Sequence, residues 1–106
     1  MKEFVCKTKI LWGTGAISAL KELGAKRLML VTDPFFEKNG TARRIAQQAQ
    51  AEKVEIFSNV TPDPSVELAA EGTARVKEFM PDVLVALGGG STMDCAKAMT
   101  YFSGLD

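Results

Sequence analysis

Short apolar runs alternate with longer amphipathic ones along this chain, and that alternation leaves few folds open. Arg27-Leu28-Met29-Leu30-Val31-Thr32 is apolar at consecutive positions, as a strand covered on both faces of a parallel sheet should be. Asp33-Pro34 punctuates it. From about Gly40 to Glu52 the apolar spacing is helical, with Ala42, Ile45, Ala46 and Ala49 on one face and Thr41 as a candidate cap. Val54-Glu55-Ile56-Phe57 alternates and reads as a second strand. Pro62-Asp63-Pro64 then breaks the chain. Ser65 to Met80 is helical, with Ala69, Val76, Phe79 and Met80 inward, Asp63 at the N-cap and Pro64 at the first helical position. Asp82 to Leu87 is the strongest strand and contains the longest uninterrupted apolar run, Val83 to Leu87. Gly88-Gly89-Gly90 follows it, and Ser91 to about Phe102 is a last helix.

At the start, Thr8 to Trp12 reads as a strand leading into Gly13-Thr14-Gly15, and Ile17 to Leu23 as a short helix stopped by Gly24. The order βαβαβαβα predicts an α/β fold: a Rossmann-like open, mostly parallel sheet with helices on both faces. At 106 residues the chain fits one domain. Such sheets bind ligands at the carboxyl ends of their strands, which directs attention to Asp33, Pro62 to Pro64, and Gly88 to Ser91.

Composition narrows the function. Lys and Arg number 13 against 13 Asp and Glu, and that balance argues against nucleic acid, whose phosphates need a basic stripe. No apolar run approaches a membrane span and the N-terminal residues lack a signal-peptide pattern, so the expected partners include no membrane and the expected location is cytoplasmic. Cys6 and Cys95 match no CxxC or zinc spacing and read as packed, reduced thiols. The chain has no histidine, which removes Ser-His and Cys-His nucleophile activation and the commonest ligand of catalytic zinc or iron.

Three glycines between the best strand and a helix let the backbone approach a ligand closely, and the helix brings a partial positive charge to the same place. A phosphate or pyrophosphate suits such a turn; a tight connection kept small for packing is the alternative. Ser91 and Asp94 also fit a capping box, Ser-x-x-Asp, and Ser91 can cap and donate to a phosphate oxygen together. Gly13-Thr14-Gly15-Ala16-Ile17-Ser18 is a rival, a dinucleotide fingerprint with Ser for its third glycine, but a weak, charged strand precedes it. Asp33 ends a buried strand, where a carboxylate can accept from ribose hydroxyls and would repel a 2′-phosphate, favouring NAD over NADP. Its alternative is the Asp33-Pro34 turn itself. Phe35-Phe36 reads either as core or as a cover for an adenine ring, and Met80, Met93 and Met99 read as core.

Gly88-Gly89-Gly90-Ser91-Thr92-Met93-Asp94-Cys95-Ala96-Lys97 resembles the GGGSxxDxAK signature of the iron-containing (group III) alcohol dehydrogenases. Gly13-Thr14-Gly15-Ala16, Val31-Thr32-Asp33, Pro62-Asp63-Pro64-Ser65 and Pro81-Asp82-Val83 stand in that family's order, so the resemblance runs from about Thr8 to Phe102. It implies the N-terminal, nucleotide-binding domain of an enzyme interconverting alcohols and aldehydes or ketones with NAD(P). Gly89, Gly90 and Ser91 match positions that hold the cofactor pyrophosphate, and Asp33 matches the one that contacts the adenosine ribose. Asp63 matches a position commonly held by Asn near the cofactor; Asp keeps the acceptor oxygens and lacks the amide donor. Asp94 and Lys97 belong to the signature, Asp94 with a cofactor-side role.

In that family, iron or another divalent metal is held by one Asp and three His from a later, all-helical domain. None of those ligands can be placed in residues 1–106, which read as an incomplete dinucleotide-binding domain, inactive as a dehydrogenase alone. An unprotected sheet edge would favour a homo-oligomer. The alternatives are a stand-alone α/β nucleotide-binding or interaction module and a relative of the glycerol-dehydrogenase or dehydroquinate-synthase branch. Ser91 and the Pro-Asp-Pro segment favour the alcohol dehydrogenases.

Overall fold

Four strands, β1 (Lys7–Ile10), β2 (Arg27–Thr32), β3 (Lys53–Phe57) and β4 (Val83–Leu87), lie in the order β1-β4-β2-β3 in a computed structural model. It describes residues 7–10, 24–61 and 66–103. Every pairing is parallel, with Leu28 opposite both Val54 and Val83, and Lys7 also opposite Val83. The helices are α1 (Pro34–Lys38), α2 (Thr41–Gln48), α3 (Val66–Phe79) and α4 (Gly90–Ser103).

Strand alternation splits the core into two layers. Leu28, Leu30, Val83 and Val85 point to one face, where Ala42, Ile45, Ala46 and Ala49 cover them from α2 and the turn that ends it. Met29, Val31, Leu84 and Ala86 point to the other, against Val76 of α3 and Cys95, Ala96 and Met99 of α4. A central strand covered on both faces must be apolar at every position, which is why β2 and β4 read as continuous runs. The expected α/β sheet with helices on both faces is therefore present.

Several local readings change. A five-residue helix, α1, follows Asp33 where the sequence suggests only a turn; Asp33 caps it and Pro34 supplies its first position. Thr41 is the first residue of α2 rather than its cap, because Gly40 takes the cap position at φ +85°. Met80 is exposed, not inward. It sits at φ +54° just past α3, and this left-handed step swings its side chain off the helix's buried face. Asp82 precedes β4 and accepts hydrogen bonds from the backbone N–H groups of Lys26 (3.0 Å) and Arg27 (2.9 Å), tying the start of β2 to β4. Phe36 packs on the α2 side of the core while Phe35 is exposed. Met99 is fully buried and Met93 packs partly against the same layer. The Gly13-Thr14-Gly15 turn, the Ile17–Leu23 helix, Cys6 and the Pro62-Asp63-Pro64 break lie outside the described residues. Among the described residues, no helix is long and apolar enough to cross a membrane.

Candidate functional site

Leaving β2, the chain runs outward to β3 on one side and returns to β4 on the other. The connections diverge between β2 and β4, and a doubly wound sheet opens its ligand crevice at that switch point, outside the carboxyl ends of the strands. A cleft of about 200 Å³ lies there, lined by Asp33, Val60, Thr61, Gly89, Gly90, Ser91 and Thr92. Four residues singled out from sequence, Asp33, Gly89, Gly90 and Ser91, thus meet at one place.

The three glycines do different work. Gly88 has φ +150°, and a Cβ there would lie 2.6 Å from Thr92 Oγ1, so close packing against α4 forbids a side chain. A Cβ on Gly89 or Gly90 would meet no atom within 4 Å. Nothing inside the described residues requires glycine at either position, and the space each leaves open belongs to the cleft. The first hydrogen bond of the α4 ladder joins Met93 N–H to Gly89 C=O at 3.1 Å. The positive end of a 14-residue helix therefore faces this open space. That combination fits the phosphate groups of a nucleotide.

Asp33 is half-buried, and its Oδ1 accepts from Phe36 N–H at 3.0 Å. The cap occupies one carboxylate oxygen, which bears out the turn-making reading, and the residue also lines the cleft. α4 starts at Gly90, which puts Ser91 inside its first turn and Asp94 a turn further on, rather than at the cap and third positions that the capping-box reading gave them. Asp94 and Lys97 are exposed and do not line the cleft. Asp63 lies outside the described residues.

Sequence reasoning missed Thr32, Val60, Thr61 and Thr92. Thr32 carried a signal, being the polar residue that ends an apolar strand; Thr61 stands directly before the flagged Pro62. A larger depression, about 550 Å³, borders β3 and shares no residue with the cleft. Its charges are paired: Arg75 meets Glu55 at 2.8 Å, a hydrogen bond that holds the guanidinium above its ordinary pKa, and Arg43 lies 4.0 Å from Glu37. Cys95 is buried, and burial pushes its thiol up, away from nucleophilic use. Among the described residues, no three Cys, Asp or Glu side chains cluster to hold a metal ion, and the chain has no histidine. A metal centre does not fit these residues.

Sheet order, switch point and glycine turn together define a doubly wound, Rossmann-like α/β domain. The chain belongs to the iron-containing alcohol dehydrogenase family, whose family model matches residues 7–105. It is 34% identical over 104 residues to 1-propanol dehydrogenase PduQ of Citrobacter freundii, an alignment covering 97% of this chain and 28% of that protein. It is 35% identical over 105 residues to an NADPH-dependent butanol dehydrogenase of Clostridium saccharobutylicum, covering 96% of this chain and 27% of the relative. The solved sulfoacetaldehyde reductase of Bifidobacterium kashiwanohense, in complex with NAD+, superposes with a TM-score of 0.77 at 25% identity, covering 99% of this chain and 28% of that one. The chain thus spans less than a third of the length of these relatives.

Proposed function

We propose that this chain is the cofactor-binding part of an NAD(P)-dependent alcohol dehydrogenase that interconverts alcohols with aldehydes or ketones. The observation that carries the reading is the open space above Gly89 and Gly90 at the switch point, faced by the start of α4. The pyrophosphate lies against Gly89, Gly90 and Ser91, and the second oxygen of Asp33 takes the ribose hydroxyls. That contact favours NAD over NADP, because a carboxylate repels a 2′-phosphate. Asp63 and Asp94 belong to the same proposal as flanking cofactor-side residues. When bound, the nicotinamide supplies the hydride chemistry, and these residues orient it. The metal, iron or another divalent ion, and most of the substrate pocket belong to the rest of the protein, in the cytoplasm.

Calorimetric titration with NAD, NADP and ADP-ribose tests the reading. Gly89→Val should leave the chain folded, since a Cβ there meets no atom within 4 Å, while affinity falls by about an order of magnitude or more. Undiminished binding in Gly89→Val refutes the placement. Asp33→Asn keeps a cap acceptor for Phe36 N–H and removes the charge, so it should improve NADP binding relative to NAD. Unchanged discrimination removes Asp33 from the ribose site.

A further inference from the structure

We propose that Thr32 is the positioning residue of this cleft, a single side chain and carbonyl that hold its three walls in register. The proposal rests on the cofactor reading for its purpose, but its geometry stands alone. Thr32 is fully buried at the end of a strand, after four apolar residues, and a buried hydroxyl must find a partner. Its Oγ1 donates to Leu87 C=O at 2.7 Å. Leu87 is the residue opposite it in β4 and the last before Gly88, so this bond fixes the peptide from which the glycine turn departs. The Thr32 C=O accepts from Val60 N–H at 3.4 Å, which holds the segment carrying Thr61 against the same strand end. The next residue in the chain is Asp33, the cap of α1.

Valine would serve β2 as well for packing and strand preference, and would lack only the donor. A serine would keep the donor and lose only a methyl group. The pair of variants separates hydrogen bonding from volume. Gly88 makes the bond consequential, because Thr92 excludes a Cβ there and the residue directly after Leu87 contributes no side chain.

The test is amide hydrogen exchange by NMR on the 106-residue chain, with Thr32→Val and Thr32→Ser beside the unsubstituted protein. In Thr32→Val the Met93 amide, which reports the turn through its bond to Gly89, should exchange about tenfold faster, while mid-strand amides of β2 keep their rates. Thr32→Ser should restore the Met93 rate. Affinity for ADP-ribose should follow the same order. An unchanged Met93 rate in Thr32→Val overturns the proposal, and so does uniform acceleration across β2, which would mark Thr32 as a residue of general stability. If the unsubstituted chain fails to bind ADP-ribose, the cofactor reading falls, and the exchange pattern still decides the role of Thr32.

Discussion

Asp33 caps a helix and lines the cleft with one side chain. One oxygen caps α1 directly after β2 ends, and the proposed ribose contact falls to the other. Its placement was legible because a charged residue directly after a buried strand has no packing purpose. The partition of its oxygens was not, because it depends on α1, a helix too short for periodicity to reveal. The glycines divide similarly: three identical letters conceal one steric requirement and two open positions. Cys95 is the buried titratable counterpart. Burial raises its pKa, so the folded chain keeps the thiol proton at a pH where the unfolded chain has released it. The contribution is complete below the free-thiol range, about pH 8.5, and is lost as pH rises beyond it. Denaturant titrations at pH 7 and pH 10 should show a fall in stability that shrinks in Cys95→Ala; equal falls would contradict the assignment.

Among the elements, those buried on a whole face were the readable ones. The face of Ala42, Ile45 and Ala46 on α2, with Ala49 at its cap, is buried as the spacing requires, and β2 and β4 carry the continuous runs of two-sided strands. Helix ends were less readable, since a single residue in a left-handed conformation breaks the period. Met80 continues the apolar stripe of α3 in sequence but leaves it in space. A non-glycine residue in that conformation costs about 1–2 kcal/mol, part of which glycine returns through its greater freedom in the unfolded chain. Met80→Gly should therefore stabilise the chain by about 0.5–1 kcal/mol, seen as a higher denaturation midpoint. A loss of stability would mean that the exposed Met80 side chain contributes packing that its exposure conceals.

At the scale of the whole molecule, sheet order was only partly legible. The alternation of elements implies parallel strands, but no local pattern says that β4 lies between β1 and β2. The rim strand β3 bears the exposed Lys53, and a lysine at a sheet rim resists edge-to-edge pairing. The stickier surface is apolar and lies on the helices, where Val66 and Phe102 border a depression of about 490 Å³ between α3 and α4. Light scattering should thus show concentration-dependent self-association that Val66→Lys suppresses and Val54→Lys, on the rim strand, does not; the opposite pattern would place the contact at the sheet edge. Thr32 and Leu87, which directly precede Asp33 and the glycine turn, are 55 residues apart in sequence. The pocket consequently has no existence in any partly folded segment: it appears only when β2, β3 and β4 have all docked in their final sequence. A molecule that occupies it rewards correct threading and nothing less. On the proposed cofactor reading, cofactor supply acts on the yield of folded chains.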